Sequence, residues 1–247
     1  MWTLGKSPTY VQQAFTRLLS STAGSRWQKM NPLQAAVPED QCILVDNNDK
    51  PIGSEGKVKC HTVFPDGSLL LHRAFSVFLF NTKGELLLQK RSSVKSTYAD
   101  HYTNTCCSHP LSTIPKEMIE KDGLGILNAA QRRLEIELGI PPQQAKPEEM
   151  QYITRIHYMD RGDGKFGEHE IDYIVFLQKD VDLCINPDEV SEVVYIKRND
   201  LDDFLSKLEA PITPWFRLIA EDKLRLWWDN LHQLPKFSDH QSILRYV

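Results

Sequence analysis

The sequence predicts an α+β sandwich, and three observations support that fold class. Apolar runs of strand length come first, one long amphipathic segment follows, and further strand-like runs and helical segments close the chain. The 247 residues are enough for one large domain or for a domain with appendages. A hydrophobic fraction of 41% with 25% charged residues is ordinary for a globular protein that buries a core.

Residues 1–38 differ in composition from the rest of the chain. They contain no Asp or Glu, Ser and Thr are frequent, and the basic residues are Lys6, Arg17, Arg26 and Lys29. A basic, acid-free segment with an apolar helical stripe is typical of a mitochondrial transit peptide, and a disordered extension is the alternative. We therefore predict a leader over residues 1–38 and a single domain over residues 39–247.

Strands joined by short turns are predicted over the first part of this domain. Gly, Pro, Asn and Asp turn signals separate the apolar runs from one another. The predicted extended segments are residues 42–46, 51–53, 57–64, 74–80 and 86–91. The last two flank a turn at residues 81–84, and together they predict a β-hairpin.

Residues 92–123 are predicted to be mostly loop, and they contain a nucleophile-rich stretch. Cys106 and Cys107 are adjacent, His109 is two residues further on, and Pro110 ends the stretch. A disulfide between adjacent cysteines is disfavoured, because disulfide geometry needs the two Cβ vectors to converge. A metal-binding or catalytic loop is one interpretation, and a pair of small buried residues is the other.

A helix is predicted over residues 126–138, where apolar side chains recur at helical spacing and Gly139 with two prolines ends the segment. Arg133 and Glu137 are four residues apart, so they lie on one face of this helix, one turn apart. The spacing alone favours a surface ion pair for these two residues.

The remaining predicted strands are residues 152–159, 168–177 and 193–196, and the remaining predicted helices are residues 200–208 and 215–231. Alternate residues of a strand share a face, so Glu168 and Glu170 point one way and His169 points the other. The run from residue 171 to 177 is strongly apolar, which places both carboxylates where a strand enters the core. Paired carboxylates at such a point indicate a bound ligand.

Composition also argues against several classes of function. The formal net charge is −4, whereas nucleic-acid binders usually have a basic excess. No apolar run reaches the roughly 18–20 residues needed to cross a bilayer. Five cysteines, an odd and sparse set, suit a reducing compartment better than a disulfide framework. We therefore expect no nucleic-acid partner and no membrane span.

Histidines, carboxylates and basic residues from separate segments could converge in such a fold. Imidazoles and carboxylates suit a divalent transition metal, zinc included, and guanidinium and ammonium groups without a nearby partner suit phosphate. The candidate metal set is His61, His72, His109, Glu168 and Glu170, and the candidate phosphate set is Arg91, Lys95 and Arg133. Spacing alone does not show that these segments meet, and each histidine by itself is more often structural.

Several short stretches of the chain together form a family pattern. They are residues 60–61, 71–76, 87–92, 103–111, 129–134, 137–141, 167–173 and 213–216. In this order, from about Leu33 to the C-terminus, they resemble the type 1 isopentenyl-diphosphate Δ-isomerases, a branch of the Nudix-fold proteins. The resemblance implies a Nudix-like mixed β-sheet sandwich with flanking helices.

The resemblance also implies a function in isoprenoid and sterol biosynthesis: the interconversion of isopentenyl diphosphate and dimethylallyl diphosphate by a metal-assisted 1,3 proton shift. It implies one divalent metal (Mg²⁺, Mn²⁺ or Zn²⁺) on His61, His72, His109, Glu168 and Glu170, and a Mg²⁺ ion that Glu137 holds on the substrate diphosphate. The implied diphosphate-binding residues are Lys57, Arg91, Lys95 and Arg133. The implied catalytic residues are Cys107, Glu170 and an assisting Tyr158.

The chemistry of this reaction fits the residues that the resemblance assigns. Protonation of an unactivated alkene gives a tertiary carbocation, which needs a dry pocket where water cannot quench it. An aromatic face best stabilises a positive centre that makes no hydrogen bonds, and Trp215 can supply that face. A second group then removes a proton from the neighbouring carbon, which calls for a pair such as Cys107 and Glu170.

Two departures from the family patterns stand out. The Nudix signature is Gly-x₅-Glu-x₇-Arg-Glu-apolar-x-Glu-Glu-x-Gly-apolar, and the residues that match it are Arg132, Leu134, Glu137, Gly139 and Ile140. The loss of most metal-binding carboxylates argues against pyrophosphohydrolysis. The second departure is residues 98–102, Tyr-Ala-Asp-His-Tyr, where the isomerases usually have aromatic-Pro-Gly-x-aromatic. This change can alter how the loop closes over substrate.

Two other functions remain as alternatives: a Nudix hydrolase acting on another diphosphate, and a non-catalytic module with a structural zinc site. The expected partner is a small homoallylic or allylic diphosphate, and we expect a monomer. The expected location is mitochondrial, from the leader, or cytoplasmic. A peroxisomal location is less favoured, because residues 245–247, Arg-Tyr-Val, are not an address of the Ser-Lys-Leu type.

Overall fold

The computed structural model describes residues 40–247, in which helices cover both faces of one sheet. In chain order the strands are β1 Gln41–Val45, β2 Pro51–Gly56, β3 His72–Phe80, β4 Leu86–Arg91, β5 Tyr102–Thr103, β6 Cys106–Ser108, β7 Gln151–Asp160, β8 Glu168–Gln178, β9 Val190–Ile196 and β10 Ile243–Arg245. The α-helices are α1 Lys57–His61, α2 Leu124–Leu138, α3 Leu201–Lys207, α4 Pro214–Asp222 and α5 Leu224–Trp228. The leader predicted over residues 1–38 lies outside the described residues.

The sheet is mixed, as predicted. Its main path runs β10-β7-β8-β3-β1-β2, and the remaining strands attach through β3 and β4. Strands β3 and β8 pair in parallel, as do β10 and β7, whereas the other pairs are antiparallel. The parallel register puts His72 beside Glu170, so the amino ends of β3 and β8 lie together at one edge of the fold.

Strand β3 divides the core into two layers. Phe75, Val77 and Leu79 pack in a cluster with residues of α2, whereas Phe78 and Phe80 pack in a second cluster with residues of α4 and α5. Because side chains alternate along a strand, one apolar run serves both layers. Every residue of β3 is buried. The predicted α+β sandwich with flanking helices is therefore confirmed.

The β-hairpin predicted over residues 74–80 and 86–91 forms only at its turn, where Phe80 pairs with Leu86. Beyond that pair the two strands separate: β3 continues beside β8 and β6, whereas β4 pairs with β9 and β5. Both strands are almost entirely buried, so each finds partners on both sides from distant parts of the chain. The turn was predicted correctly, whereas the predicted pairing of the two strands along their length was wrong.

The extended segment predicted over residues 57–64 is also wrong, because residues 57–61 form helix α1. Lys57 and His61 are four residues apart in this helix and therefore lie on the same face. Both side chains line the same pocket as a result. In a strand, residues this far apart would have been separated by more than about 13 Å.

Two further segments differ from the prediction. The helix predicted over residues 215–231 is divided into α4 and α5 at Lys223, where φ departs to −115°, and a 3₁₀ segment follows over Leu231–Phe237. The apolar spacing of the predicted helix continues from α4 into α5 because both helices pack against the same core cluster. The nucleophile-rich stretch predicted as loop contains the short strand β6, which pairs with β3.

Candidate active site

The predicted metal set converges at the amino ends of β3 and β8. His61 ends α1, His72 begins β3, His109 follows β6, and Glu168 and Glu170 lie at the start of β8. One ligand atom from each residue lies within 4.8 Å of all the others, and all five residues are buried. Centroids of the histidine rings are 4.9–5.0 Å apart. The sequence alone could not show that these five residues lie close together, and the structure places them in one cluster.

Direct contacts within this cluster join imidazole nitrogens to carboxylate oxygens. His109 Nε2 lies 2.9 Å from Glu170 Oε1, and His72 Nε2 lies 3.5 Å from the same oxygen. His61 Nε2 lies 2.9 Å from Glu168 Oε2. Every contact is made by Nε2, so the ε nitrogens point toward one centre.

The buried polar atoms of the cluster fit a divalent cation. His72 Nε2 and Glu168 Oε2 are buried without a hydrogen-bond partner, and leaving such atoms unpaired is costly unless an ion completes them. His61 Nδ1 lies 2.6 Å from the carbonyl of Lys57, and His72 Nδ1 lies 2.9 Å from that of Leu70. A carbonyl accepts the Nδ1 proton, which leaves the Nε2 lone pair for a metal, as in many histidine metal sites.

Burial and mutual contact set the charges of this cluster. Burial holds the pKa of His109 well below its usual value, so its imidazole is neutral and able to bind a cation. Burial alone would raise the pKa of Glu170, but its hydrogen bond with His109 and the proximity of His72 hold it well below its usual value. Burial opposes protonation of His72, yet the Glu170 carboxylate raises the pKa of His72 to about 9, so a cation that binds there displaces a proton. The cluster thus combines an ionised carboxylate with imidazoles, which is the donor set that borderline divalent metals prefer.

Cys106 and Cys107 occupy opposite faces of β6. Cys107 lines the pocket together with Glu170, whereas Cys106 is fully buried in the core cluster beneath α2. The alternation along a strand separates these adjacent thiols. Of the two thiols, Cys107 therefore faces the pocket and Cys106 faces the core.

The Cys107 thiol is protonated at neutral pH. Burial raises the pKa of Cys107 to about 12, although the nearby Arg91 guanidinium, with Nη1 3.9 Å from Sγ, partly opposes this. A thiol with such a pKa holds its proton until a strong driving force moves it. It is a proton donor at rest rather than a thiolate nucleophile.

Tyr158 is joined directly to Glu170. Its Oη donates a hydrogen bond of 2.6 Å to Glu170 Oε2, while the other carboxylate oxygen of Glu170 faces the histidines. Burial raises the pKa of Tyr158 well above its usual value, so the phenol keeps its proton. The carboxylate of Glu170 thus lies between the three histidines and a proton-bearing hydroxyl.

Trp215 forms an aromatic wall of the pocket and is 3% exposed. The guanidinium carbon of Arg91 lies 5.7 Å from the centre of its ring. Its indole Nε1 donates a 3.1 Å hydrogen bond to Asn104 Oδ1, and Asn104 Nδ2 donates in turn to the carbonyls of Val77 and Cys106. Asn104 therefore orients the indole, a role that its place in the nucleophile-rich stretch did not reveal.

Lys57, Arg91 and Lys95 line the same pocket as the thiol and the indole. Burial, together with repulsion from Lys95 and Arg133, lowers the pKa of Lys57. Arg91 is held by the carbonyls of Thr97 and Tyr98, at 2.8 and 3.0 Å. Such a group of cations on one side of a pocket suits an anionic ligand with several oxygens.

Two of the predicted phosphate-binding residues share an acidic partner, Glu189, which the sequence did not indicate. Lys95 Nζ lies 2.5 Å from Glu189 Oε2, and Arg133 Nη2 lies 3.2 Å from Glu189 Oε1. Burial opposes ionisation of Glu189, yet Arg133 and Lys95 lower its pKa to about 2. Glu189 was missed because nothing in the sequence around it distinguishes it from a surface glutamate.

Arg133 and Glu137 form a buried ion pair rather than the surface pair that their spacing favoured. Arg133 Nη2 donates to Glu137 Oε1 at 2.6 Å, and the two residues are 8% and 3% exposed. Gln89 Nε2 donates to Glu137 Oε2 at 3.0 Å. A carboxylate has about four lone-pair sites, so Glu137 retains acceptor capacity for a cation.

The described part of the chain has no helix with the length and apolarity to span a bilayer. The pocket and its surroundings thus combine a proton-bearing thiol, an ionised carboxylate, an indole wall, a group of cationic side chains and a set of residues that could bind a metal ion.

Comparison with known proteins first establishes the class. A NUDIX domain model matches residues 70–216, so the chain belongs to the NUDIX proteins. Among solved structures, a Deinococcus radiodurans protein matches with a TM-score of 0.50 and 16% identity, covering 74% of this chain and 99% of its own. A NUDIX hydrolase from Alicyclobacillus acidocaldarius also has a TM-score of 0.50, with 8% identity, covering 68% and 97%. These structures establish the fold alone.

Within that class, the chain belongs to the isopentenyl-diphosphate Delta-isomerase family. It is 50% identical over 215 residues to isopentenyl-diphosphate Delta-isomerase 1 of Bos taurus, covering 86% of this chain and 94% of the bovine protein. The enzyme of Clarkia breweri is 50% identical over 240 residues, covering 92% and 83%. That of Gibberella zeae is 47% identical over 216 residues, covering 86% and 85%.

Proposed function

We propose that this chain interconverts isopentenyl diphosphate and dimethylallyl diphosphate by adding a proton to the alkene and removing one from the neighbouring carbon. The observation that supports this most directly is the placement of Cys107, Glu170 and Trp215 around one pocket. A proton donor, a proton acceptor and an aromatic face are what a carbocationic proton shift requires. Relatives at about half identity with this enzyme's name support the same reaction.

The diphosphate binds at the basic side of the pocket. Lys57, Arg91 and Lys95 line it, and Arg133 is joined to Lys95 through Glu189. Mg²⁺ held by Glu137 would add positive charge beside the diphosphate. Because the diphosphate does not react, its binding energy serves to position the alkene between the proton donor and the acceptor.

A second divalent metal (Mg²⁺, Mn²⁺ or Zn²⁺) fits His61, His72, His109, Glu168 and Glu170. When bound, it would orient the Glu170 carboxylate and change its acidity. Cys107 and Glu170 hold one transferable proton and one acceptor between them, because the thiol is protonated and the carboxylate ionised. One member gives a proton to the alkene and the other removes a different proton; the reverse reaction exchanges these roles. Tyr158 Oη holds the acceptor oxygen in place.

Trp215 stabilises the positive charge between the two proton transfers. The tertiary cation makes no hydrogen bonds, so an indole face is a suitable neighbour, and the buried position of the ring helps exclude water. The hydrolase alternative would instead need a positioned water and the carboxylates of the Nudix signature, most of which this chain lacks.

Proton-exchange NMR in D₂O tests this proposal. Isopentenyl diphosphate is incubated with the full chain and Mg²⁺, with and without Mn²⁺ or Zn²⁺. Dimethylallyl diphosphate containing deuterium would support the protonation–deprotonation route. Released inorganic phosphate would place the hydrolase first, and unchanged substrate under every metal condition would reject the isomerase assignment.

Replacing Trp215 with leucine should lower kcat roughly 30-fold, because a desolvated cation–π contact contributes about 2 kcal/mol. KM should change less than kcat, since the indole face matters most when the cation forms. Initial rates at saturating and limiting isopentenyl diphosphate would separate the two parameters.

Trp228→Leu is the matched control for this prediction. Trp228 is also buried and packs in the same cluster as Trp215, but its Nε1 donates to the carbonyl of Gly84, and it does not line the pocket. Its loss should reduce stability without changing kcat of the folded enzyme. Equal losses of kcat in both variants would mean that Trp215 serves only in packing.

A further inference from the structure

The loop between β4 and β5, residues 92–101, has an unusual backbone where it departs from the family pattern. Tyr98 and Asp100 have φ angles of 47° and 60°, in the left-handed region that non-glycine residues rarely adopt. Asp100 stands where the family pattern has glycine, and Ala99 stands where it has proline. Residues stay in such conformations only where their surroundings hold them, so the contacts of this loop are informative.

Tyr98 contacts two groups of the active site. Its carbonyl accepts a 3.0 Å hydrogen bond from Arg91 Nε, on the side that binds the diphosphate. Its ring packs edge-to-face with Trp215, with ring centres 5.2 Å apart and planes at 89°. One residue thus touches both the cation that binds substrate and the ring that stabilises the intermediate.

The hydroxyl of Tyr98 makes a third contact, which is with strand β7. It donates a 2.5 Å hydrogen bond to Oδ1 of Asp160, the last residue of β7, and this oxygen also accepts from the backbone N–H of Gly162. Asp160 follows Tyr158 by two residues, so the two side chains share a face of β7.

The turn after Asp160, here called the anchor, holds in place the carboxylate that accepts this hydrogen bond. A Cβ added at Gly162 would lie 2.2 Å from the carbonyl oxygen of Phe166, so the turn is tightly closed. The backbone N–H of Gly167 donates a 2.9 Å hydrogen bond to the carbonyl of His61. The anchor is therefore joined to α1 as well as to β7 and β8.

We propose that Tyr98 is a positioning residue for the isomerase: its hydroxyl, held by Asp160, fixes Arg91 and the ring of Trp215 over the pocket. The proposal rests on the proposed function, because it assigns these two groups to substrate binding and cation stabilisation. The hydrogen bond from Tyr98 to Asp160 also restricts the conformation of this loop, as a Pro-Gly turn does in the family pattern. The tyrosine hydroxyl, rather than the aromatic ring alone, is the specific element.

Loss of this hydrogen bond has two consequences in the reaction. A displaced Arg91 binds the diphosphate less well, which raises KM. A displaced Trp215 stabilises the cation less and admits water to the pocket. Water then adds its oxygen to the tertiary carbon and loses a proton, which gives the tertiary alcohol diphosphate instead of either alkene.

The experiment compares Tyr98→Phe, Asp160→Ala and the double variant with the wild-type chain, using full-length protein and isopentenyl diphosphate. Each single variant should lower kcat/KM roughly tenfold, the scale of a hydrogen bond to a charged acceptor. The double variant should lower it no further than Asp160→Ala alone, because the hydrogen bond that Tyr98→Phe removes is already lost when Asp160 is replaced. NMR should also detect the alcohol diphosphate in the variants and not in wild type.

Tyr246→Phe is a closely matched control. Tyr246 Oη donates a 2.5 Å hydrogen bond to an aspartate, Asp222, which does not line the pocket. This variant should keep wild-type kcat, KM and product composition. If Tyr98→Phe behaves like Tyr246→Phe, or if the two losses at Tyr98 and Asp160 add in the double variant, the positioning role is rejected. If wild type itself fails to isomerise the substrate, it is the proposed function that fails.

Discussion

Replacing Cys107 with alanine is expected to lower kcat at least about 10³-fold, within the range that a positioned general acid or base contributes. The thiol lines the pocket, and burial raises its pKa to about 12, so it holds a proton at neutral pH. Alanine cannot hold that proton. The groups that bind the diphosphate are untouched, so calorimetry should show isopentenyl diphosphate binding with nearly the wild-type Kd.

Cys106→Ala provides the adjacent control for this prediction. Cys106 is on the opposite face of β6 and packs in the core beneath α2, so its loss should affect stability more than turnover. Thermal unfolding and kcat measured on both variants would separate the two roles. Turnover retained in Cys107→Ala and lost in Cys106→Ala would reverse the assignment of the thiols.

The parts of the site that the sequence predicted well are those governed by strand periodicity. Glu168 and Glu170 were placed on one face because alternate residues of a strand point the same way, and both lie in the buried histidine–carboxylate cluster. Helix α2 was predicted because apolar side chains recur at helical spacing over residues 126–138, which is a long, strongly periodic signal, and the helix observed is Leu124–Leu138. His61, His72 and His109 needed the family resemblance, since residues far apart in sequence show no sign of meeting.

The errors arose where tertiary contacts override local pattern. Helix α1 has five residues, too few for helical periodicity to show, and backbone contacts with the β7–β8 turn hold its end in place. Arg133 and Glu137 were expected at the surface because spacing gives a shared face and not burial. Glu189 lies in a turn just before β9, and its role depends on Lys95 and Arg133, which come from different segments.

Replacing Glu170 with glutamine should abolish both metal binding and turnover, with kcat reduced at least about 10³-fold. Glu170 is an ionised acceptor that lies between two imidazoles and Tyr158 Oη. Glutamine keeps the volume but loses the negative charge, so the site can neither accept the proton nor balance a divalent cation. Metal content by mass spectrometry and the D₂O exchange rate would report the two losses separately.

Asp172→Asn is the control that isolates charge as the cause. Asp172 is a buried carboxyl two residues further along the same face of β8, but burial, together with repulsion from Glu170, raises its pKa well above its usual value. A carboxyl that is already neutral resembles an asparagine amide, so this variant should keep most of its metal and activity. If it loses as much as Glu170→Gln, packing of the strand rather than the charge of Glu170 would explain both results. If it remains active and binds metal, the ionised oxygens of Glu170 are the groups that the reaction requires.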